Sequence, residues 1–172
     1  TMTAILTNDR KLVAQVCEKD NTVDRLHEAI KLYVIKVTHE SLDDAEGQRA
    51  IEILSLAINL EHIGDIIDKN LMDLASKKIK RQLRFSDEGA AEFHQIVPDN
   101  PKLAVAIFLS GDVKLARQLL DEKSRIRELE FAAAENHMNR LREGRIESLE
   151  TSSLHLDILR DLKRIHSHIC SA

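Results

Sequence analysis

Residues that break helices and residues that fill β-sheet cores are both scarce in this sequence. The 172 residues include five glycines, two prolines, one tyrosine and no tryptophan, and aromatic side chains make up 3% of the chain. A β-sandwich or β-barrel needs a turn about every 8–12 residues, which so few glycines and prolines do not provide. Leucine, isoleucine, alanine and charged residues dominate instead, and this composition is typical of long helices. We therefore predict an all-α fold.

The sequence also lacks a strong charge imbalance, a cysteine motif and a long apolar run. Its 25 basic and 29 acidic residues give a net charge of -4, so no nucleic-acid partner is expected. Cys17 and Cys170 form no CxxC motif, which fits free thiols in a reducing compartment. The longest apolar run, 103–109, is far shorter than the ~20 residues that a membrane-spanning helix needs. We expect the segment to be soluble and cytoplasmic.

Four of the five glycines stand where the helical apolar pattern restarts, and we interpret them as helix ends. They are Gly47, Gly89, Gly111 and Gly144. Together with the turn at 97–101, they divide the chain into predicted helical segments at 4–45, 47–84, 87–97, 101–110, 112–143 and 145–172. The fifth, Gly64, lies inside a strongly periodic helix, where glycine costs about 1 kcal/mol relative to alanine. We predict that a neighbouring helix or a bound group approaches its backbone closely.

Two pairs of segments share the same apolar register. Segment 20–26 matches 123–129 at a shift of 103 residues, and 59–65 matches 161–167 at a shift of 102. Two independent matches at nearly the same shift indicate a duplicated helical unit. We therefore predict a single domain built from two repeat units, with the domain at 1–172 and the units at about 1–85 and about 86–172.

Acidic residues recur along one face of each of the first two long helices. Both faces follow an i, i+4, i+7 spacing, with Asp20, Asp24 and His27 on one helix and Glu61, Asp65 and Asp68 on the next. A turn near Gly47 makes the two helices antiparallel, which brings the two faces to similar height. Because helical bundles bind metal ions through carboxylates on facing helices, the first interpretation is a metal site.

Two other interpretations of the acidic faces stay open. The repeat counterparts of the acidic positions are basic or neutral, so acids of the first half could instead pair with bases of the second half if the halves pack about a pseudo-twofold axis. The counterparts are Lys123 for Asp20, Arg127 for Asp24, Lys163 for Glu61 and Ser167 for Asp65. A charge-rich helix face can also be simply solvated, since clusters of titratable residues mark functional sites only in part.

A basic run stands near the end of the second long helix and comprises Lys77, Lys78, Lys80 and Arg81. Such a run can contact a partner or anionic lipid, where each basic residue contributes about 1 kcal/mol. The alternative is a solvated face that complements the dipole at a helix C-terminus.

Segment 59–65, Asn-Leu-Glu-His-Ile-Gly-Asp, resembles the helical signature of PhoU-type domains, an acidic ExxxD motif around a helix-embedded Ile-Gly-Asp. A second pattern, formed by Val16, Asp20 and Val23, resembles the preceding helix of the same PhoU-type unit. Segments 83–89 and 154–165 look most like one branch of the family, the C-terminal cytoplasmic domain of bacterial sodium/phosphate cotransporters. The resemblance implies tandem three-helix bundles that regulate phosphate uptake and have no catalytic activity.

The resemblance also implies a ligand set. Some members of the family bind metal through both halves, but here Lys163 and Ser167 replace the acids of the second signature. At most one site for a divalent or trivalent metal ion is therefore implied, in the first half; its ligands would be Glu61 and Asp65, supported by Asp20 and Asp24.

Partners and location follow from the same resemblance. The first unit lacks the opening helix whose counterpart in the second unit is the 87–110 region, and we expect that helix upstream of Thr1, next to the transporter. The expected partner is a membrane transporter domain in the same chain or a transport complex, with a homodimer as a further candidate, at the cytoplasmic face of the inner membrane. Two alternatives stay open: a free-standing PhoU-type regulator of phosphate uptake that acts as an adaptor, and a helical-bundle metal-binding protein.

Overall fold

The computed structural model describes residues 1–39, 41–85, 90, 93, 100–143 and 149–171. These residues form helices and no strand, which confirms the predicted all-α fold with its tandem repeat. The helices are α1 (Met2–Thr7), α2 (Arg10–Thr38), α3 (Asp44–Asp65), α4 (Asp73–Lys80), α5 (Asn100–Ser110), α6 (Val113–Arg142) and α7 (Leu149–Ile169), and a π-helical turn (Ile66–Met72) joins α3 to α4. The two main hairpins pair α2 with α3 and α6 with α7.

The first long helix begins later than predicted. Asn8 has a left-handed φ of 58°, and the Asp9 side chain accepts hydrogen bonds from the backbone N–H groups of Lys11 and Leu12 at 2.8 and 3.1 Å. A side-chain oxygen that satisfies the first free N–H groups is what starts a helix. The predicted continuous helix over 4–45 is therefore wrong at its start, because α1 ends and α2 begins at this turn.

Gly47 does not end a helix, contrary to the prediction. The Asp43 carboxylate accepts from the backbone of Glu46 at 2.8 Å, and the Glu46 carboxylate accepts from the backbone of Asp43 at 3.0 Å. This capping box starts α3 at Asp44, so Gly47 lies in the first helical turn.

Gly111 does end a helix, as predicted. Its φ of 66° is left-handed and closes α5, and Asp112 then caps α6 by accepting from the backbone of Lys114 at 2.8 Å. The predicted segments at 101–110 and 112–143 agree with α5 and α6 to within one residue. The predictions at Gly89, Gly144 and 87–97 fall almost entirely outside the described residues.

One hydrophobic core contains side chains from both repeat units. Leu71 and Met72 of the π-helical turn belong to it together with Ile158 and Leu159 of α7 and Ile126 of α6. All five are at most 2% exposed. The π-helical turn, which the periodicity did not predict, is thus a part of the first unit that packs against α7 of the second.

α1 matches only part of the helix at the corresponding place in the second unit. At the shift of 103 residues, α1 corresponds to 105–110, the last turns of α5.

A groove of about 510 Å³ lies open between α2 and α3, lined by apolar side chains that include Leu26, Ile30, Tyr33, Val37 and Ile53. At the shift of 102 residues, the counterpart of Ile53 in the second unit is His155. The fully buried Phe93 ring packs against the His155 ring, with 4.6 Å between the ring centroids.

Candidate metal centre

The candidate centre forms where α2 passes α3 at Gly64. A Cβ atom placed on Gly64 would lie 2.5 Å from Asp20 Oδ1 and 3.4 Å from Val23 Cγ1. No side chain fits at the first of these distances, so the absence of a side chain permits the approach. The close approach predicted for Gly64 is thus made by α2.

Three carboxylates converge beside this contact. Asp20 and Asp24 lie one turn apart on α2, Asp65 follows Gly64 on α3, and one oxygen from each lies within 4.8 Å of the others. Two ligands of one cation, bound at about 2.0–2.6 Å, lie at most about 5 Å apart. Carboxylate oxygens are the donors that hard cations such as Mg²⁺, Ca²⁺ and Mn²⁺ prefer. Among the described residues, this group therefore fits a bound metal ion in spacing and chemistry.

Asp20 is the buried member of the group. It is 9% exposed, and its Oδ1 atom has no hydrogen-bond partner. Burial raises the pKa of Asp20, and the negative charges of Asp24, Asp68 and Asp65 raise it further. An unpaired buried carboxylate is costly unless a proton or a cation neutralises it. A metal ion at this position would supply that neutralisation.

Lys69 is a member of the site that the sequence analysis missed. Its ammonium group donates a hydrogen bond to Asp65 Oδ1 from one turn further along the chain. This hydrogen bond is the main reason that the pKa of Lys69 is raised, and the charges of Asp65, Asp20 and Asp24 add to it. The i, i+4 spacing of Asp65 and Lys69 in the sequence could have indicated this ion pair.

Glu61 and Asp68 share the acidic face in sequence but not the converging group. The Glu61 carboxylate lies 3.8 Å from His62 Nε2, one turn before Asp65. Asp68 accepts a hydrogen bond from the Cys17 thiol, whose pKa rises to about 11, first through burial and then through this hydrogen bond. Cys17 is therefore a neutral thiol at neutral pH, beside the centre rather than in it.

Asp65 and Lys163, which belong to the two matched segments, each form an ion pair within their own unit. Lys163 of α7 pairs with Glu130 of α6, within the second unit, rather than with an acid of the first. Asp65 pairs with Lys69, within the first unit. Ser167, the counterpart of Asp65, donates a hydrogen bond to the Lys163 carbonyl at 3.0 Å.

One residue of the predicted basic run, Lys78, does not lie on the surface. Lys78 is 2% exposed and donates hydrogen bonds to the Ile5 carbonyl at 2.9 Å and to Asn8 Oδ1 at 2.7 Å, so it is not available to a membrane or a partner, contrary to the prediction. Burial lowers the pKa of Lys78, and the positive charge of Arg84 lowers it further. Lys77 pairs with Asp73 at 2.7 Å, and Lys77, Lys80 and Arg81 are all exposed. Within the described ranges, every helix is too short or too polar to cross a bilayer.

Comparisons with known proteins agree with this fold. The chain is 39% identical over 152 residues to YjbB of Salmonella typhimurium, whose name assigns it to inorganic phosphate export, and 37% identical to YjbB of Escherichia coli K12. It spans 28% of the length of these relatives, and the matches cover 87% of the chain. The crystal structure of PhoU from Pseudomonas aeruginosa superposes on 98% of the chain with a TM-score of 0.84, at 22% identity and over 81% of the PhoU chain. A sequence model of the PhoU domain matches residues 1–74 and 91–172, and the chain belongs to the PhoU domain family.

Proposed function

We propose that this chain is a non-enzymatic regulatory domain that acts in phosphate transport. The observation that carries the proposal is the match to the PhoU domain over most of the chain. It is supported by relatives at 37–39% identity whose name assigns them to inorganic phosphate export. In this role the chain performs no chemistry on phosphate; it changes how a transporter moves it.

The finer proposal places the chain on the cytoplasmic face of the inner membrane, as part of a sodium-dependent phosphate cotransporter. Its support is that the chain spans 28% of the length of the YjbB relatives, which leaves most of their sequence for other parts. A free-standing adaptor is the second candidate, because the same fold accounts for 81% of the separate PhoU chain of Pseudomonas aeruginosa.

An immunoblot of fractionated cells distinguishes these two candidates. An antibody raised against the chain should detect a protein several times longer than 172 residues in the membrane fraction if the cotransporter proposal is right. A product of about the chain's own length in the soluble fraction would support the adaptor instead.

Within this role, we propose that Asp20, Asp24 and Asp65 bind one divalent or trivalent cation. The cation would neutralise the unpaired Asp20 carboxylate and join α2 to α3 through ligands from both helices. Binding would therefore stiffen the α2–α3 hairpin, and a transporter in contact with that hairpin could respond to the change.

Phosphate flux in cells tests the proposal. We expect that deleting the region that encodes this chain changes radiolabelled phosphate flux, or its response to external phosphate. Asp65→Asn should reproduce the change, while Asp73→Asn, which alters an exposed acid outside the converging group, should not. Unchanged flux and regulation in the deletion strain would contradict the proposed function.

A further inference from the structure

Lys69 stands where it competes with a metal ion for the same carboxylate. Its ammonium group donates to Asp65 Oδ1, and Asp65 is one of the three acids that converge at the candidate centre. The Lys69 side chain is 63% exposed, so it can move into solvent without leaving a cavity behind. Without metal, Lys69 therefore supplies the positive charge that the three carboxylates lack.

We propose that Lys69 is a built-in counter-ion that a metal ion must displace, so that it sets the cation concentration at which the centre fills. The inference rests on the proposed function, since it presupposes that Asp20, Asp24 and Asp65 bind a cation. A cation that takes up Asp65 has to break the hydrogen bond from Lys69, and the ammonium charge repels the cation as it arrives. Both effects weaken metal binding without removing a ligand.

The competing lysine makes the centre responsive rather than permanently filled. Lys69 keeps the carboxylates partly neutralised when metal is scarce, which lessens the mutual repulsion that would otherwise separate α2 from α3. Because the side chain is exposed, its exchange with a metal ion needs no rearrangement of the core. The centre can then load and unload as the cation concentration changes.

The chain contains a matched control for this device. Lys77 and Asp73 form an ion pair with the same i, i+4 spacing, at 2.7 Å, two turns further along. Both side chains are more than half exposed, and Asp73 is not one of the converging carboxylates. Removing the Lys77 charge therefore changes the net charge of the chain by the same amount and leaves the centre intact.

Mn²⁺ binding to purified wild-type protein and three variants tests the proposal. Free Mn²⁺ is measured by electron paramagnetic resonance in low-salt and high-salt buffer, and circular dichroism verifies the fold of each variant. We expect Lys69→Gln to bind Mn²⁺ about three- to tenfold more tightly than the wild type at low salt, and the difference to shrink at high salt because salt screens exposed charges. Lys69→Arg, which keeps the charge, and Lys77→Gln should both bind with wild-type affinity.

Three results would overturn the proposal, and they are distinguishable from one another. Equal affinities for Lys69→Gln and the wild type would show that the centre binds metal but that Lys69 does not compete. Equal tightening by Lys69→Gln and Lys77→Gln would show an effect of net charge alone. Absence of Mn²⁺ binding in every variant would remove the metal centre itself, and with it both the inference and the metal part of the proposed function.

Discussion

At the scale of single residues, the contact between α2 and α3 depends on one missing side chain. Gly64 leaves space for the Asp20 carboxylate, and Asp20 in turn is the buried acid of the candidate centre. A helix-interior glycine is unfavourable by about 1 kcal/mol relative to alanine, so its presence here is explained by the packing that it permits. The same position therefore affects both stability and metal binding.

We expect Gly64→Ala to destabilise the protein by about 1–2 kcal/mol, because the clash with Asp20 exceeds the gain in helix propensity. It should also weaken Mn²⁺ binding, since the Asp20 carboxylate has to move. Gly47→Ala is the control: apart from the neighbouring backbone of its own helix, nothing lies within 4 Å of a Cβ at that position, so it should be neutral or stabilising by up to about 1 kcal/mol. Urea unfolding measures both, and equal stabilities for the two variants would contradict the packing account.

The raised pKa of Asp20 predicts a second effect, in the pH dependence of stability. A carboxyl group whose pKa is higher in the folded state than its ordinary value of 3.8 destabilises the folded state when it is ionised. Without metal, Asp20→Asn should therefore be more stable than the wild type at pH 7. The difference should decrease as the pH falls through the raised pKa of Asp20 and vanish below the ordinary value.

Urea unfolding at several pH values, in chelator and in Mn²⁺, measures this effect. Mn²⁺ should stabilise the wild type and leave Asp20→Asn unchanged, because the variant has lost a ligand. Asp73→Asn, at an exposed position, should follow the wild type in both buffers. A metal-free Asp20→Asn protein that is less stable than the wild type at pH 7 would contradict the prediction that the buried, unpaired Asp20 carboxylate destabilises the folded state.

At the scale of secondary-structure elements, α1 is held in place by a lysine from α4. The six-residue helix ends in carbonyl groups that have no partner within the helix, and Lys78 donates to those of Ile5 and Leu6 at 2.9 and 3.4 Å. The Lys78 ammonium also donates to Asn8, whose left-handed conformation ends α1. The lysine that looks like part of a basic surface run is thus a helix cap.

Lys78→Met should loosen α1 and destabilise the protein by about 1–3 kcal/mol, because it leaves buried carbonyl oxygens without donors. Hydrogen exchange measured by mass spectrometry should show faster exchange in the peptide that covers residues 1–12 than in the wild type. Lys77→Met, at an exposed position of the same helix, should exchange at the wild-type rate. Unchanged protection of α1 in Lys78→Met would contradict the capping role.

Most helices could be predicted from the sequence, whereas the interruptions could not. The periodic apolar positions predicted α5 and α6 closely, because these helices begin and end at strong local signals such as Asp112 and Gly111. At the break near Asn8, Asp9 caps α2 locally, whereas the group that caps the end of α1 is Lys78, 70 residues away in sequence from Asn8. The π-helical turn at 66–72 lies in a core shared with the second unit, so no pattern in its own segment indicates it.

At the scale of the whole molecule, the two repeat units share one core. Ile158 and Leu159 of the second unit are at most 1% exposed and belong to the same cluster as Leu71 of the first. Between the units, Asn70 donates to the buried Asp161 carboxylate at 3.1 Å. These contacts couple the folding of one unit to that of the other.

We expect the described core to unfold in a single cooperative transition. Ile158→Ala should lower the free energy of unfolding by about 2–5 kcal/mol, because it leaves a cavity between the units. The urea concentration at which half of the protein is unfolded should fall by the same amount, relative to the wild type, whether unfolding is followed through hydrogen exchange in α2 or in α7. Loss of protection in α7 alone would show that the units unfold independently.

The candidate site was only partly predictable from the sequence. The i, i+4 spacing correctly placed Asp20 and Asp24 on one face, and Gly64 indicated a close approach. The sequence predicted both Glu61 and Asp65 as ligands and did not reveal that Asp65 joins these acids while Glu61 does not, because this depends on the rotation of α3 against α2. In the second unit the Lys163–Glu130 ion pair joins α6 to α7, and the described residues of this unit form no comparable group of metal ligands.

The most direct test of the central claim is the number of Mn²⁺ ions that each chain of the purified protein retains in equilibrium dialysis against excess Mn²⁺. Our account predicts close to one Mn²⁺ per chain in the wild type, in Glu61→Gln and in Asp73→Asn, and loss of the ion in Asp65→Asn. A wild type that retains no Mn²⁺, or an Asp65→Asn variant that retains as much as the wild type, would contradict a metal centre built from Asp20, Asp24 and Asp65.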